Sequence, residues 1–203
     1  MANTFTPSGL SVVSYLDGSQ WNGQARVYFI ASTDTSVYAI GDPVASDGTT
    51  GADANGVAAV KLATAGTGNA LRGVIVDMGG TVYGGPGGDP AAPFASTVIP
   101  ATKTKNYYVK VVDDPSVIFE IQEINTGTFI PITDVGLNFN LKSGTNNGFV
   151  SGWTLDNTGQ GTGATLQVKI LQLVQRLDSA PGLSQKWLVK INNHEFSGGT
   201  TGI

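Results

Sequence analysis

The sequence predicts an all-β protein of antiparallel strands, arranged as a β-barrel or as a jelly-roll-like β-sandwich. Two observations carry this prediction. Almost every apolar run is short, rich in Val, Ile, Tyr and Phe, and bounded by Gly, Asp, Asn or Pro, which is the pattern of strands and turns. Glycine contributes 28 of the 203 residues, roughly twice the average usage of about 7%, and this indicates many tight turns.

The predicted strands follow one another along the chain, with a turn signal between most of them. In the predicted strand 24–33, Tyr28 and Phe29 are adjacent and should therefore face opposite sides of a sheet. Asn55 and Gly56, a strong hairpin pair, precede the strand of 55–66. The remaining predicted strands are 36–44, 71–78, 106–114, 116–124, 164–177 and 185–196.

Residues 166–177 also fit a helix, because Leu166, Ile170 and Leu173 fall near helical spacing. Alternate positions from Leu166 to Ile170 are apolar as well, as in a strand, and the flanking residues are typical of turns. The pattern favours a strand, with a bulge near Leu171 that would explain the shift in phase.

The glycine- and proline-rich stretch suggests how the chain is organised, either as two lobes or as one continuous domain. The predicted parts are an extended arm (1–11), a small β-barrel-like lobe (12–83), a Gly/Pro-rich loop (84–93) and a β-sandwich lobe (94–203). A second long glycine-rich segment, 142–165, carries Phe149 and Trp153. Exposed aromatic side chains are costly in water, so we expect these two to insert into the protein's own core or into a neighbour.

Composition argues against several classes of function. The net charge is −4 and no basic stripe is present, which argues against a nucleic-acid partner. The chain has no cysteine, which excludes disulfides, thiolate metal sites and a cysteine nucleophile. The first residues lack the pattern of a signal peptide, and no apolar run approaches the ~18 residues of a membrane span. We therefore expect a soluble protein made in the cytoplasm, with no membrane partner.

Four carboxylates lie within residues 113–123, a density that raises the question of an acid/base or metal site. Asp113 and Asp114 precede a proline, a composition typical of a turn. Glu120 and Glu123 follow in a strand pattern, where positions of opposite parity point to opposite faces. We therefore expect a turn and a strand, with carboxylates that do not converge.

No other motif predicts a catalytic, cofactor-binding or metal-binding residue. His194, the only histidine, lies at the predicted end of a strand without a neighbouring serine motif or cysteine, so a triad is not indicated. The glycines of 83–90 lack the Lys-Ser/Thr pair of a phosphate loop. We expect no cofactor and no enzymatic activity.

Several segments together resemble the capsid decoration, or cement, proteins of tailed bacteriophages. The resemblance covers roughly residues 25–196, and none of its motifs is a catalytic signature. The segments that carry it are 41–44 (GDPV), 55–66 (NGVAAVKLATAG), 71–76 (LRGVIV), 107–123 (YYVKVVDDPSVIFEIQE), 134–138 (DVGLN) and 166–196, which ends in KWLVKINNHEF.

This resemblance implies a non-enzymatic β-rich virion protein on the outside of the capsid. Its expected partners are the major capsid protein and further copies of itself, as a homotrimer or, as second choice, a homodimer. By position in the chain, we take as candidate contact residues Phe5, Leu10, Phe149, Trp153 and His194.

A receptor- or glycan-binding module of a phage tail or fibre is the alternative. Aromatic side chains can stack on sugar rings, although half-buried strand residues explain the same pattern. The aromatic residues that prompt this alternative are Tyr15, Trp21, Tyr28, Tyr107 and Tyr108.

Overall fold

A computed structural model describes residues 3–79 and 97–202 and confirms the all-β class with antiparallel sheets. Apart from one 3₁₀ turn at Ile132–Asp134, its regular elements are strands. In chain order they are β1 (Ser11–Tyr15), β2 (Arg26–Ile30), β3 (Tyr38–Ala39), β4 (Pro43–Ser46), β5 (Val60–Leu62), β6 (Gly73–Met78), β7 (Val98–Ile99), β8 (Tyr107–Val112), β9 (Val117–Gln122), β10 (Asn138–Phe139), β11 (Leu141–Lys142), β12 (Thr154–Leu155), β13 (Val168–Leu173) and β14 (Lys186–Ile191).

Two five-stranded sheets form the body of the protein. Sheet I has the strand order β1-β9-β14-β13-β10, and sheet II has the order β2-β8-β6-β4-β5. Sheet II curls until Phe29 in β2 meets Ala59, just before β5, at one isolated bridge. That single bridge does not close a barrel, so the described residues form packed sheets. The strands β3 and β7, and β11 and β12, form two smaller pairs.

The main hydrophobic core lies between the two sheets. Trp187 and Phe119 of sheet I are fully buried in it, together with Val74 and Val112 of sheet II. A second core lies against sheet II and contains Tyr28, as expected from its parity opposite Phe29, which belongs to a third cluster. Because sheet II is covered on both faces, its strands are apolar at consecutive positions.

The ambiguous segment is a strand with a bulge, as predicted. Strand β13 pairs with β14, and the pairing runs from Ile170 opposite Val189 to Gln172 opposite Leu188, so Leu171 is the extra residue. One inserted residue displaces the alternation by one position, and this produced the apparent helical spacing.

The turn at Asp113–Pro115 carries the chain from sheet II to sheet I. The amide of Val117 donates to the carbonyl of Asp114 at 3.2 Å, and β9 starts immediately afterwards. The sheets therefore do not divide the chain at its glycine-rich middle. Strand β8 joins the N-terminal strands β2 and β6, whereas β1 pairs with β9. The loop 84–93 lies outside the described residues.

The N-terminal arm is extended, and hydrogen bonds hold it against the body from Asn3 to Leu10. Asn3 donates to the carbonyl of Leu183 at 2.9 Å, and the amide of Thr6 donates to the Gln122 side chain at 2.8 Å. At its end, the amide of Leu10 donates to the carbonyl of Gly41 at 3.0 Å. The arm is thus part of the folded body.

Within the described ranges, no helix has the length and apolar character needed to cross a membrane.

Candidate functional site

Two of the five candidate contact residues are exposed on ordered backbone. Phe149 is 65% exposed and follows Asn147, whose side chain accepts hydrogen bonds from the amides of Phe149 and Val150 at 3.0 Å. The next residue, Ser151, donates its amide to Ile40 at 2.9 Å. A side-chain cap and a backbone bond therefore hold this aromatic ring in water at a defined position.

Phe5 is the second exposed candidate. Its side chain is 41% exposed, and the backbone on both sides of it is bound to one residue of β9. The Gln122 side chain accepts from the amide of Thr6 at 2.8 Å and donates to the carbonyl of Thr4 at 2.9 Å. Phe5 therefore projects from a segment whose position is set by sheet I.

The side chains of the other three candidates are buried in the folded chain. Leu10 and Trp153 belong to the core between the sheets, and both are at most 2% exposed. His194 is also buried, because its backbone pairs with Leu71 in an isolated bridge. None of these side chains can reach a partner without local opening of the fold.

Sequence reasoning missed three further exposed apolar residues near Phe5. Phe129, Ile132 and Leu183 are 41–54% exposed. Hydrogen bonds connect their segments to the arm. Asn3 donates to the carbonyl of Leu183, and Gln122, which binds the arm, donates to the carbonyl of Ser184. The next residue, Gln185, donates to the carbonyl of Ile130. We call Phe5, Phe129, Ile132 and Leu183 the apolar end of sheet I. The sequence signal for this exposed segment was the stretch GTFIPITDVG (127–136). Phe129 and Ile130 are adjacent apolar residues there and do not alternate with polar ones, as residues of a half-buried strand would.

A buried polar cluster fixes the loop that carries Phe129 and Ile132. Glu123 is fully buried, and its Oε2 accepts hydrogen bonds from the Ile130 amide at 3.1 Å and from the Gln185 and Trp187 side chains at 3.2 Å. Burial raises the pKa of Glu123, while these donors act in the opposite direction. These hydrogen bonds fasten the backbone of the loop at Ile130 to sheet I.

The carboxylates of residues 113–123 do not converge, as predicted. Asp113 accepts from the Tyr28 hydroxyl at 2.6 Å and lies 3.4 Å from the Arg26 guanidinium. Burial, together with this carboxylate, raises the pKa of Tyr28 to about 12. Asp114 instead caps the turn by accepting from the amide of Ser116 at 2.8 Å.

The two glutamates lie apart from these aspartates. Glu120 forms a two-point ion pair with Arg176, with both N–O distances at 2.7 Å, whereas Glu123 is buried in the cluster beneath the apolar end. Across residues 3–79 and 97–202, no three His, Cys, Asp or Glu side chains are arranged to hold a metal ion.

His194 lies at the junction between the two sheets. Its Nδ1 accepts a hydrogen bond from the amide of Phe196 at 3.0 Å, and burial lowers the pKa of the imidazole. The adjacent Glu195 turns away and pairs with Arg72 at 2.6 Å. This geometry makes His194 a neutral structural residue of the turn after β14.

A polar pocket of about 250 Å³ opens beside the turn between the sheets. Its lining combines a guanidinium, an amide, a phenol and two carboxylates, so it presents both hydrogen-bond donors and acceptors. The polar residues of the lining are Tyr15, Gln24, Arg26, Asp113 and Asp114. Of the aromatic residues noted in the sequence, Tyr15 lines this pocket, whereas Tyr28 is buried.

Comparisons of the chain with protein-family models, with curated proteins and with solved structures found no match.

Proposed function

We propose that this chain is a structural, non-enzymatic virion protein that binds the outer surface of a tailed-phage head and cements neighbouring major capsid subunits. The observation that carries the proposal is the set of exposed apolar side chains on backbone that is hydrogen-bonded to the rest of the fold. Phe149 and the apolar end are exposed on segments that side-chain hydrogen bonds fix in place. The resemblance of 112–123, 134–138 and 186–194 to cement proteins points to the same function.

Cementing requires only that the protein prefer the assembled lattice. A ligand that binds the assembled shell but not its separate subunits stabilises the shell by its binding free energy. A specific interface buries about 1,200–2,000 Å² in total, and burying one exposed Phe side chain contributes about 1.5–3 kcal/mol. Because one head carries many copies, the binding free energies of all the copies add to the stability of the shell.

Self-association is part of the proposal. A homotrimer is the first choice and a homodimer the second, since such symmetries recur at capsid positions in the group that this chain resembles. Closed symmetry would place the same apolar residues of each copy around one axis. Light scattering of the purified protein measures this state directly.

Binding to heads that lack this protein tests the function. Recombinant protein is mixed with such heads and the bound fraction is measured by sedimentation. Wild-type protein should bind saturably, and Phe149→Ser or Phe5→Ser should each weaken binding about tenfold or more. Val37→Ser is the matched control, because Val37 is also exposed, at 38%, and lies outside the proposed surface. Wild-type protein that stays in the supernatant would contradict the proposal.

A glycan-binding module of a tail or fibre is the second candidate, and the polar pocket favours it. Planar hydrogen-bonding groups around Tyr15 suit the hydroxyls of a neutral sugar ring. Under this alternative, antibody labelling would locate the protein on the tail, and Arg26→Ala would reduce binding to cell-surface sugars. Labelling confined to the head would exclude it.

A further inference from the structure

Three segments that are distant in sequence meet at the turn between β3 and β4. They are the N-terminal arm, strand β6 and the 142–153 segment, which connects β11 to β12. Gly41 accepts a hydrogen bond from the amide of Leu10 at 3.0 Å and donates its own amide to Ile75 of β6 at 2.8 Å. One residue earlier, Ile40 accepts from the amide of Ser151 at 2.9 Å. The N-terminal arm and the 142–153 segment are therefore fastened to sheet II at the same point.

The crossing leaves no space between the segments. Gly9 has a φ of +68°, and a Cβ atom built there would overlap the carbonyl of Gly41 and the side chain of Ser151. A Cβ atom on Gly41, which has a φ of +93°, would overlap the carbonyl of Ser8. Both positions need glycine for the left-handed backbone and for the close approach.

A carboxylate is buried in this crossing. Asp42 is 3% exposed, and its Oδ2 accepts a hydrogen bond from the amide of Ala39 at 2.8 Å. Ser151, whose Oγ accepts from the amide of Trp153 at 3.1 Å, is a further neutral group that acts to lower the pKa of this carboxyl. The groups that act on the Asp42 carboxylate are thus neutral.

No cation balances the charge of Asp42 within the described residues. The packed segments are 8–10, 150–153 and 74–76, and none of them contains an ionisable side chain. The next ionisable residue along β6 is Asp77, which is paired with Lys110 at 2.8 Å. Burial raises the pKa of Asp42 to about 6, and the polar groups of Ser151 and Ala39 only partly oppose this.

We infer that Asp42 is a pH-responsive latch, which fastens the N-terminal arm and the 142–153 segment to sheet II more tightly when its carboxyl group is protonated. The latch controls how firmly the backbone beside Phe149 is held. It is a property of the isolated chain and does not depend on the proposed function.

The hydrogen bond to Asp42 can form whether its carboxyl group is protonated or ionised, but burial favours the protonated, neutral form. A protonated Asp42 can carry the proton on Oδ1 while Oδ2 still accepts from the amide of Ala39. Ionised Asp42 gains hydration when the crossing opens. Since its pKa is higher in the closed state, closure is favoured in acid and loses that advantage as the pH rises from about 4 through 6.

Hydrogen exchange of single amides tests the latch in the intact chain. With an ordinary pKa in the open state, linkage predicts that opening increases about tenfold between pH 5 and pH 8. After correction for the pH dependence of intrinsic exchange, the amides of Leu10 and Ser151 should lose that much protection. Asp42→Asn should abolish this pH dependence, whereas Asp17→Asn, which removes a carboxylate from an exposed turn, should preserve it.

Two results would overturn the inference. One is constant protection of Leu10 and Ser151, corrected for intrinsic exchange, in the wild-type protein from pH 5 to pH 8. The other is a ¹³C NMR titration of the wild-type protein in which the Asp42 carboxyl has a midpoint near 4 instead of near 6. Both measurements use the wild-type chain, so they decide the question even if Asp42→Asn does not fold.

Discussion

Replacing Gly9 with alanine should destabilise the protein strongly, although the change adds one methyl group. The left-handed backbone, with φ of +68°, costs a residue with a Cβ atom about 1–2 kcal/mol. The new methyl group would also overlap Gly41 and Ser151, and overpacking of this kind costs about 1–3 kcal/mol. We therefore expect Gly9→Ala to lower the free energy of unfolding by about 2–5 kcal/mol.

Gly18→Ala is the matched control, because it isolates the backbone cost. Gly18 has a similar φ of +85°, and a Cβ atom there would meet nothing within 4 Å. It should therefore cost only the conformational part, about 1–2 kcal/mol. Urea unfolding followed by tryptophan fluorescence measures both values. If Gly9→Ala costs no more than Gly18→Ala, the arm is not packed against Gly41 and Ser151, and the crossing does not exist as described.

Three further predictions concern the core, the histidine and the surface. Trp153→Ala should lower the free energy of unfolding by about 3–5 kcal/mol, whereas Phe149→Ala should change it by less than about 0.5 kcal/mol in urea unfolding; equal costs would contradict their placement. Because burial lowers the pKa of His194, its contribution is present above the ordinary value of 6.5 and is lost as the pH falls. The stability advantage of wild type over His194→Gln should shrink between pH 7.5 and pH 5.5, and a constant difference would refute this. Arg176→Ala breaks a half-exposed pair with Glu120 and should cost under about 1 kcal/mol, with the cost falling in high salt; a larger, salt-independent cost would argue against a surface ion pair.

Much of the fold could be predicted because local patterns and tertiary structure agree. The alternation of Val117, Phe119 and Ile121 matches their burial in β9, and the bulge at Leu171 follows from a single shift in phase. The turn at Asp113 and Asp114 could be identified from its composition. Its role as the crossover between sheets could not, since strand order depends on contacts distant in sequence.

The contact surface was harder to predict, because exposure is a property of the assembled sheets. Trp153 and Phe149 belong to the same glycine-rich segment, yet one is in the core and the other in water. The difference arises from the Asn147 turn and from the bond between Ser151 and Ile40. No local pattern encodes that contact, and the burial of Leu10 and His194 likewise depends on contacts distant in sequence.

An electron-microscopy map of the purified phage particle tests the central claim most directly. Our account predicts density for this protein at regular positions on the outside of the head, with Phe149 or the apolar end facing the capsid subunits. Heads without such density, together with its presence only on the tail or only in the lysate of infected cells, would contradict the proposed function.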